Sequence, residues 1–283
     1  MRNQQSGADA SLWPRNQGLT ATSGSNLAAG LCAPVSGQWG RTLWPSNTRM
    51  DVGLRAPLIA QQSAGPLHGG GQRAPGAGRT HGSHVGAFGG RDADGGPRFD
   101  QVVPPGGYLW WYVDALSDDG EYGLSIIAFV GSVFSPYYAL ARSRAGGVAE
   151  PENHCALNVA LYGKGGKRWT MTERGRSHIS RNAQHYQIGP SSLHWDGQAL
   201  TIDIDEINVP IPMKVSGRVT VRPEGLCNFV TPLDNEGLHR WGPIAPCSRV
   251  EVEMDNPQFS WRGHAYMDSN EGDEPVENGF QDW

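Results

Sequence analysis

Residues 106–135 read GGYLWWYVDALSDDGEYGLSIIAFVGSVFS. Two runs rich in aromatic and β-branched residues flank the polar tetrad Ser117 to Gly120, and Asp-Asp-Gly is a turn signal between strands. The stretch predicts a hairpin. Its second arm holds the longest apolar run of the chain, Leu124 to Phe134. That run is strand-like and too short to cross a bilayer.

The same pattern repeats downstream. HCALNVALYG (154–163) alternates, enters a turn at Gly163 to Gly166, and RWTMTERG (168–175) follows as a partner strand. HYQIGPSSLHWDGQALTIDIDEINVPIP (185–212) gives short strands broken at Gly189-Pro190 and Asp196-Gly197. KVSGRVTVRPEG, LHRWGP, SRVEVEMD and FSWRGHAYMDSN complete the series, with Gly242-Pro243 read as a strand end. Turns recur every ~8–12 residues, which favours an antiparallel sandwich or barrel. The best helix or loop candidate is Ser135 to Ala145.

Residues 1–100 differ. They are rich in Gly, Ala, Ser, Pro and Arg, lack lysine and show no sustained period. Such a segment cannot bury enough apolar surface to offset chain entropy. The expected organisation is a disordered low-complexity segment over 1–100 and a β domain over 104–283. Within the former, Gly69 to Gly71 has no preceding strand and no following Lys, so it is no phosphate loop. His68, His81 and His84 read as part of a solvated tail. The chain ends at ENGFQDW directly after a strand-like run. A barrel lacking its last strands would expose an edge, so the fold is expected to be mainly β and truncated at its C-terminus.

A net charge of −5 with 18% charged residues and no basic cluster argues against a nucleic-acid partner. Cysteines stand at 32, 155, 227 and 247 without a C-x-x-C pair, so a zinc ribbon or redox motif is not expected. Scattered thiols fit a reducing compartment. No apolar run spans a membrane and no secretory signal is read at the N-terminus, so a cytoplasmic location is expected.

The chemistry-bearing residues lie in GLHRWGP and FSWRGHAYMDSNEG. On a strand, Tyr266 and Asp268 share one face with His264 in step, while Ala265 and Met267 take the other. A carboxyl among aromatic rings stays protonated if burial disfavours its charge. The alternative is that Asp268 opens a turn in D-S-N-E-G. His239 and Trp241 share a face too. They read either as a pair that orients water or as a structural pair at a barrel mouth. Glu271, Asp273 and Glu274 form an acidic cluster, read as a hard-cation site or a solvated loop. His154 and Asn158 share a face, as a pocket patch or as satisfied core groups. Asp203 and Asp205 read as the solvent side of a half-buried strand. Trp261 and Arg262 read as packing and surface. Ser132 lacks the G-x-S-x-G frame of a hydrolase nucleophile.

GGYLWWYVDALSDDG, LSIIAFVGSVFSPYYALARSR, ENHCALNVALYG, RWTMTERG and HAYMDSNEGDEP together closely resemble the carotenoid 1,2-hydratases, or hydroxyneurosporene synthases, of purple photosynthetic bacteria. The resemblance covers roughly 104–283. It implies a lipocalin-like β fold, often built as two related halves, of which this chain would be the N-terminal portion. It implies addition of water to the terminal C1–C2 double bond of acyclic carotenoids such as neurosporene and lycopene, on the route to spheroidene and spirilloxanthin, without a cofactor or metal. Its functional residues map onto His239, Trp241, Tyr266 and Asp268. On this reading Asp268 protonates C2, Trp241 and Tyr266 stabilise the cation, and His239 aligns the water. The polyene end would enter an apolar barrel interior, and the protein would meet membrane lipid peripherally through Phe134, Tyr137 and Tyr138. The competing readings are a non-catalytic lipocalin-like carrier of carotenoid or lipid, and a glycan-binding or glycan-cleaving sandwich.

Overall fold

A computed structural model describes residues 89–280 apart from 145, 147 and 165. These residues belong to one compact unit. The glycine and histidine clusters between His68 and His84 lie outside the described residues.

The predicted hairpin is β1 (Tyr108–Ser117) and β2 (Tyr122–Val130). Gly120 closes its turn with φ +72°, a region other residues avoid, and its N–H donates to the Ser117 carbonyl at 2.9 Å. Then come α1 (Pro136–Arg144), β3 (Cys155–Gly163), β4 (Arg168–Arg174), β5 (Ile179–Arg181), β6 (His185–Ile188) and β7 (Ser191–Trp195). They are followed by β8 (Leu200–Ile207), β9 (Lys214–Pro223), β10 (Thr231–Pro232), β11 (His239–Asn256), β12 (Gln258–Gly272) and α2 (Val276–Gly279). One antiparallel sheet runs β4-β3-β2-β1-β12-β11-β9-β8-β7-β6-β5, with β10 on β11. The sheet curls until its β4 edge meets the end of β8. There Thr170 bridges Asn208, the Val209 N–H donates to the Trp169 carbonyl at 2.9 Å, and the Asn208 side chain accepts from the Trp169 N–H at 2.8 Å. The result is a nearly closed, mainly β barrel, as the alternation and turn spacing predict.

Alternation decides the faces. Leu109, Trp111, Val113 and Ala115 of β1, Ile126 and Ala128 of β2, Leu157 and Val159 of β3, and Ala265 and Met267 of β12 point into the core. There they meet Ile202 and Ile204 of β8 and Val219 and Val221 of β9. The interior is filled by side chains and is not the open apolar receptor expected for a polyene.

Two expectations change at the level of elements. The last residues of the low-complexity segment are packed: Phe99 is fully buried, edge-on to Trp111 at 4.9 Å. Arg91 is buried too, its guanidinium donating to the carbonyls of Cys227, Phe229, Gly242 and Pro243 and to Ser269 Oγ. An isolated pair of apolar and charged residues among glycines carries no periodic signal, so the boundary at 100 falls too late. In addition, Gly242-Pro243 does not end a strand. LHRWGP and SRVEVEMD form one 18-residue strand, β11. Register shifts between Pro243 and Ala245 and between Ala245 and Ser248 absorb the irregularity, and Arg91 satisfies the carbonyls of Gly242 and Pro243.

Candidate active site

β12 pairs β1 with Asp268 opposite Tyr112 and Tyr266 opposite Asp114. All four therefore stand on the face turned away from the filled interior. On that outer wall two adjacent rows run across the sheet. One is Asp268, Tyr112, Ile127, Asn158 and Met171; the other is Tyr266, Asp114, Ser125, Ala160 and Trp169.

Asp268 is 7% exposed although it lies on the outer wall. Its Oδ2 accepts two hydrogen bonds, from Trp241 Nε1 at 2.9 Å and from Tyr266 Oη at 2.8 Å. Its Oδ1 is buried and has no hydrogen-bond partner among the described residues. Burial pushes the carboxyl up to about 6, against the two donors, which favour its charged form. Burial and the neighbouring carboxylate likewise hold the Tyr266 hydroxyl far above its ordinary value. Tyr112 packs edge-on to Tyr266 at 6.5 Å.

The sequence reading missed a second carboxyl in this wall. Asp114 accepts a hydrogen bond from Ser125 Oγ at 2.7 Å, and burial raises its pKa. It is the diagonal neighbour of Asp268, a spacing of roughly 7–8 Å between Cα atoms. Its charge in turn raises Asp268. The available signal was an Asp at a period-two position in an aromatic strand, YLWWYVDAL.

Of the four residues singled out, Trp241, Tyr266 and Asp268 come together and His239 does not. His239 pairs with Gly272, four residues along β12 from Asp268 and about 13 Å away. It is fully buried, with Nδ1 at 2.9 Å from Tyr108 Oη, Nε2 at 3.3 Å from Glu274, and Phe280 edge-on at 5.0 Å. The pair formed here is His239 with Tyr108, while Trp241 bonds Asp268 instead. His264 is exposed, beside Arg249 and Asp118.

The remaining candidates have structural partners. Glu271 and Asp273 are held by Arg240, with Gln101 also on Glu271, so charge pairing replaces the suggested cation site. No metal-binding cluster occurs among the described residues. His154 bonds Glu173 at 2.9 Å and stacks on Tyr138. Asp203 and Asp205 face solvent and pair with Arg218 and Lys214. Trp261 packs against the core, and Arg262 is exposed beside Glu251. Of the apolar rim expected at Phe134, Tyr137 and Tyr138, only Tyr137 is exposed. Tyr138 is fully buried with its hydroxyl on the Gly107 carbonyl, and Phe134 lies edge-on to Phe129. A cleft of about 530 Å³ lined by Glu173, Arg174, His178 and Pro190 contains none of the residues of this site.

Fold and site together define a β-barrel protein with a buried acid in an aromatic nest on its outer wall. Comparison with known proteins makes the assignment specific. The model of the carotenoid hydratase CrtC family matches residues 126–283, and the chain belongs to that family. It is 59% identical over 283 residues to the acyclic carotenoid 1,2-hydratase of Rubrivivax gelatinosus, covering 100% of this chain and 70% of that protein. It is 53% identical over 272 residues to the acyclic carotenoid 1,2-hydratase of Thiocapsa roseopersicina, covering 96% of this chain and 67% of the relative. Among solved structures, CghA with Sch210972 aligns at a TM-score of 0.37 and 14% identity, over 67% of this chain and 55% of that one.

Proposed function

We propose that this chain adds water across the terminal C1–C2 double bond of an acyclic carotenoid, with Asp268 as the acid. One observation carries the reading. Trp241 and Tyr266 both donate to Oδ2, so the proton of the neutral carboxyl belongs on Oδ1, where no group among the described residues accepts it. An alkene is a poor base and needs such an unengaged, desolvated donor.

The proton passes from Oδ1 to C2 and leaves a tertiary cation at C1. Trp241, Tyr266 and Tyr112 offer ring faces to that charge, each worth about 0.5–2 kcal/mol depending on desolvation. The same Trp241 and Tyr266 donors stabilise the carboxylate left behind. A water oxygen bonds to C1 and releases a proton to Asp114, whose burial raises its proton affinity. Return of that proton to Asp268 restores both groups. Addition of water is redox-neutral and requires no electron carrier. The product is a tertiary alcohol, an intermediate in spheroidene and spirilloxanthin formation.

The polyene fits the outer wall better than the interior. Ser125 and Ala160 are the small members of the row from Tyr266 to Trp169, flanked by Tyr112 and Ile127 on one side and Tyr162 on the other. A non-catalytic carrier would need no buried acid, and Asp268 is one. The protein works as a peripheral partner of the cytoplasmic face of the photosynthetic membrane.

The test uses lycopene or neurosporene in detergent micelles, with the gain of one water followed by mass spectrometry. Asp268→Asn should abolish product. Asp114→Asn should lower kcat by about 100-fold or more, the usual scale for a general base. Wild-type turnover should decline as pH rises above about 6, where Asp268 ionises. Near-normal turnover in Asp268→Asn would overturn the assignment.

A further inference from the structure

The loop between β8 and β9 holds large apolar side chains out in solvent. Ile211 is 65% exposed and Ile207 53%, with Val209, Met213 and the adjoining Trp169 also exposed. The loop is braced in that shape. Asn208 Nδ2 donates to the Ile211 carbonyl at 2.8 Å, the Asn208 N–H donates to the Met213 carbonyl at 2.8 Å, and Val209 is tied to β4. Exposed apolar groups clustered on a rigid loop mark an interaction surface.

Charge says which partner fits. The chain has three lysines, Lys164, Lys167 and Lys214, and all three flank this loop. Lys164 and Lys167 lie in and just after the β3–β4 turn that leads to Trp169, and Lys214 directly follows Met213. Lys164 and Lys214 pair with Glu121 and Asp205 at exposed positions, where water competes for them. Lys167 makes no ion pair with a described residue. An apolar loop with ammonium groups on its own strand and on the neighbouring turn matches a bilayer bearing anionic headgroups: the apolar groups enter the acyl boundary while the lysines meet phosphate. It also lies beside the outer-wall row that runs from Trp169 to Tyr266, about 19 Å across five strands.

We propose that the β8–β9 loop, with Ile211 exposed within it, Ile207 and Met213 at its base and the three lysines on the adjoining turn and strand, docks this protein onto an anionic lipid surface. The proposal rests on the carotenoid reading only for the reason to approach a bilayer; the surface itself carries the binding.

The experiment is co-sedimentation of the full chain with vesicles of phosphatidylcholine alone and of phosphatidylcholine mixed with phosphatidylglycerol. Binding should favour the mixed vesicles and weaken with salt. Combined Lys164→Gln, Lys167→Gln and Lys214→Gln should lower partition onto the mixed vesicles about tenfold or more. Ile211→Glu should lower it on both kinds by about tenfold or more. Ile211→Glu should keep wild-type turnover in detergent micelles, showing an intact fold. Equal binding by wild type and variants overturns the proposal. So does a lipid-free dimer that Ile211→Glu splits, because the loop would then be a contact between copies. If wild type makes no product in micelles yet binds vesicles in the expected pattern, the hydration reading fails and the docking surface stands.

Discussion

At Asp268 the two oxygens have different surroundings: among the described residues Oδ2 holds both donors and Oδ1 none. Burial also leaves a mark on stability. The folded-state pKa of about 6 lies above that of an unfolded Asp, near 4. Between those values the native state binds more protons than the unfolded chain, so stability falls as pH rises through the window and stays reduced above it. Asp268→Asn does not titrate. Its stability relative to wild type should rise between pH ~4 and ~6, by on the order of 2–3 kcal/mol. Urea denaturation of both proteins at pH 4 and pH 8 measures this. A relative stability that does not change with pH would mean that the carboxyl is hydrated in the native state. His239 shows the complementary case: both its ring nitrogens have partners, Tyr108 and Glu274, and Phe280 packs edge-on to it.

At the scale of elements, β11 and the segment before β1 depend on each other. β11 carries Gly242-Pro243 through the sheet because Arg91 satisfies the carbonyls there. Removing the guanidinium strands several buried acceptors, each costing about 1–3 kcal/mol. Arg91→Met should therefore destabilise the protein by at least about 3 kcal/mol, read as a shift of the denaturation midpoint. A shift below ~1 kcal/mol would show that the segment from Gly89 contributes little to the fold. Period-two alternation made β1, β2, β3 and β8 legible from sequence, since each strand writes its buried face into its own residues. Arg91 and Phe99 were not legible, because their burial is created by partners on other elements: Trp111 and Tyr186 around Phe99, and Cys227, Phe229 and Pro243 around Arg91.

For the whole molecule, closure rests on a short seam. Asn208 joins β8 to β4 by accepting from the Trp169 N–H and also braces the docking loop by donating to the Ile211 carbonyl. Asn208→Ala should cost about 1–3 kcal/mol in urea unfolding, and hydrogen exchange at Trp169 and Val209 should accelerate more than exchange in β1. Unchanged exchange at the seam would mean that the barrel closes without it. The amino-acid sequence by itself determined the mainly β class, the hairpins and which residues share a face if 264–268 is a strand, because turns and alternation are local; it left Ser135 to Ala145 as helix or loop and Asp268 as strand or turn. It also carried the motifs by which the family is recognised. Only the tertiary structure decided that the acid stands on the outer wall, that Asp114 is its neighbour, and that His239 pairs with β12 at Gly272, four residues from it. Alternation states which residues share a face. Which face becomes the interior, and which strand lies alongside, depends on how the whole sheet curls and pairs.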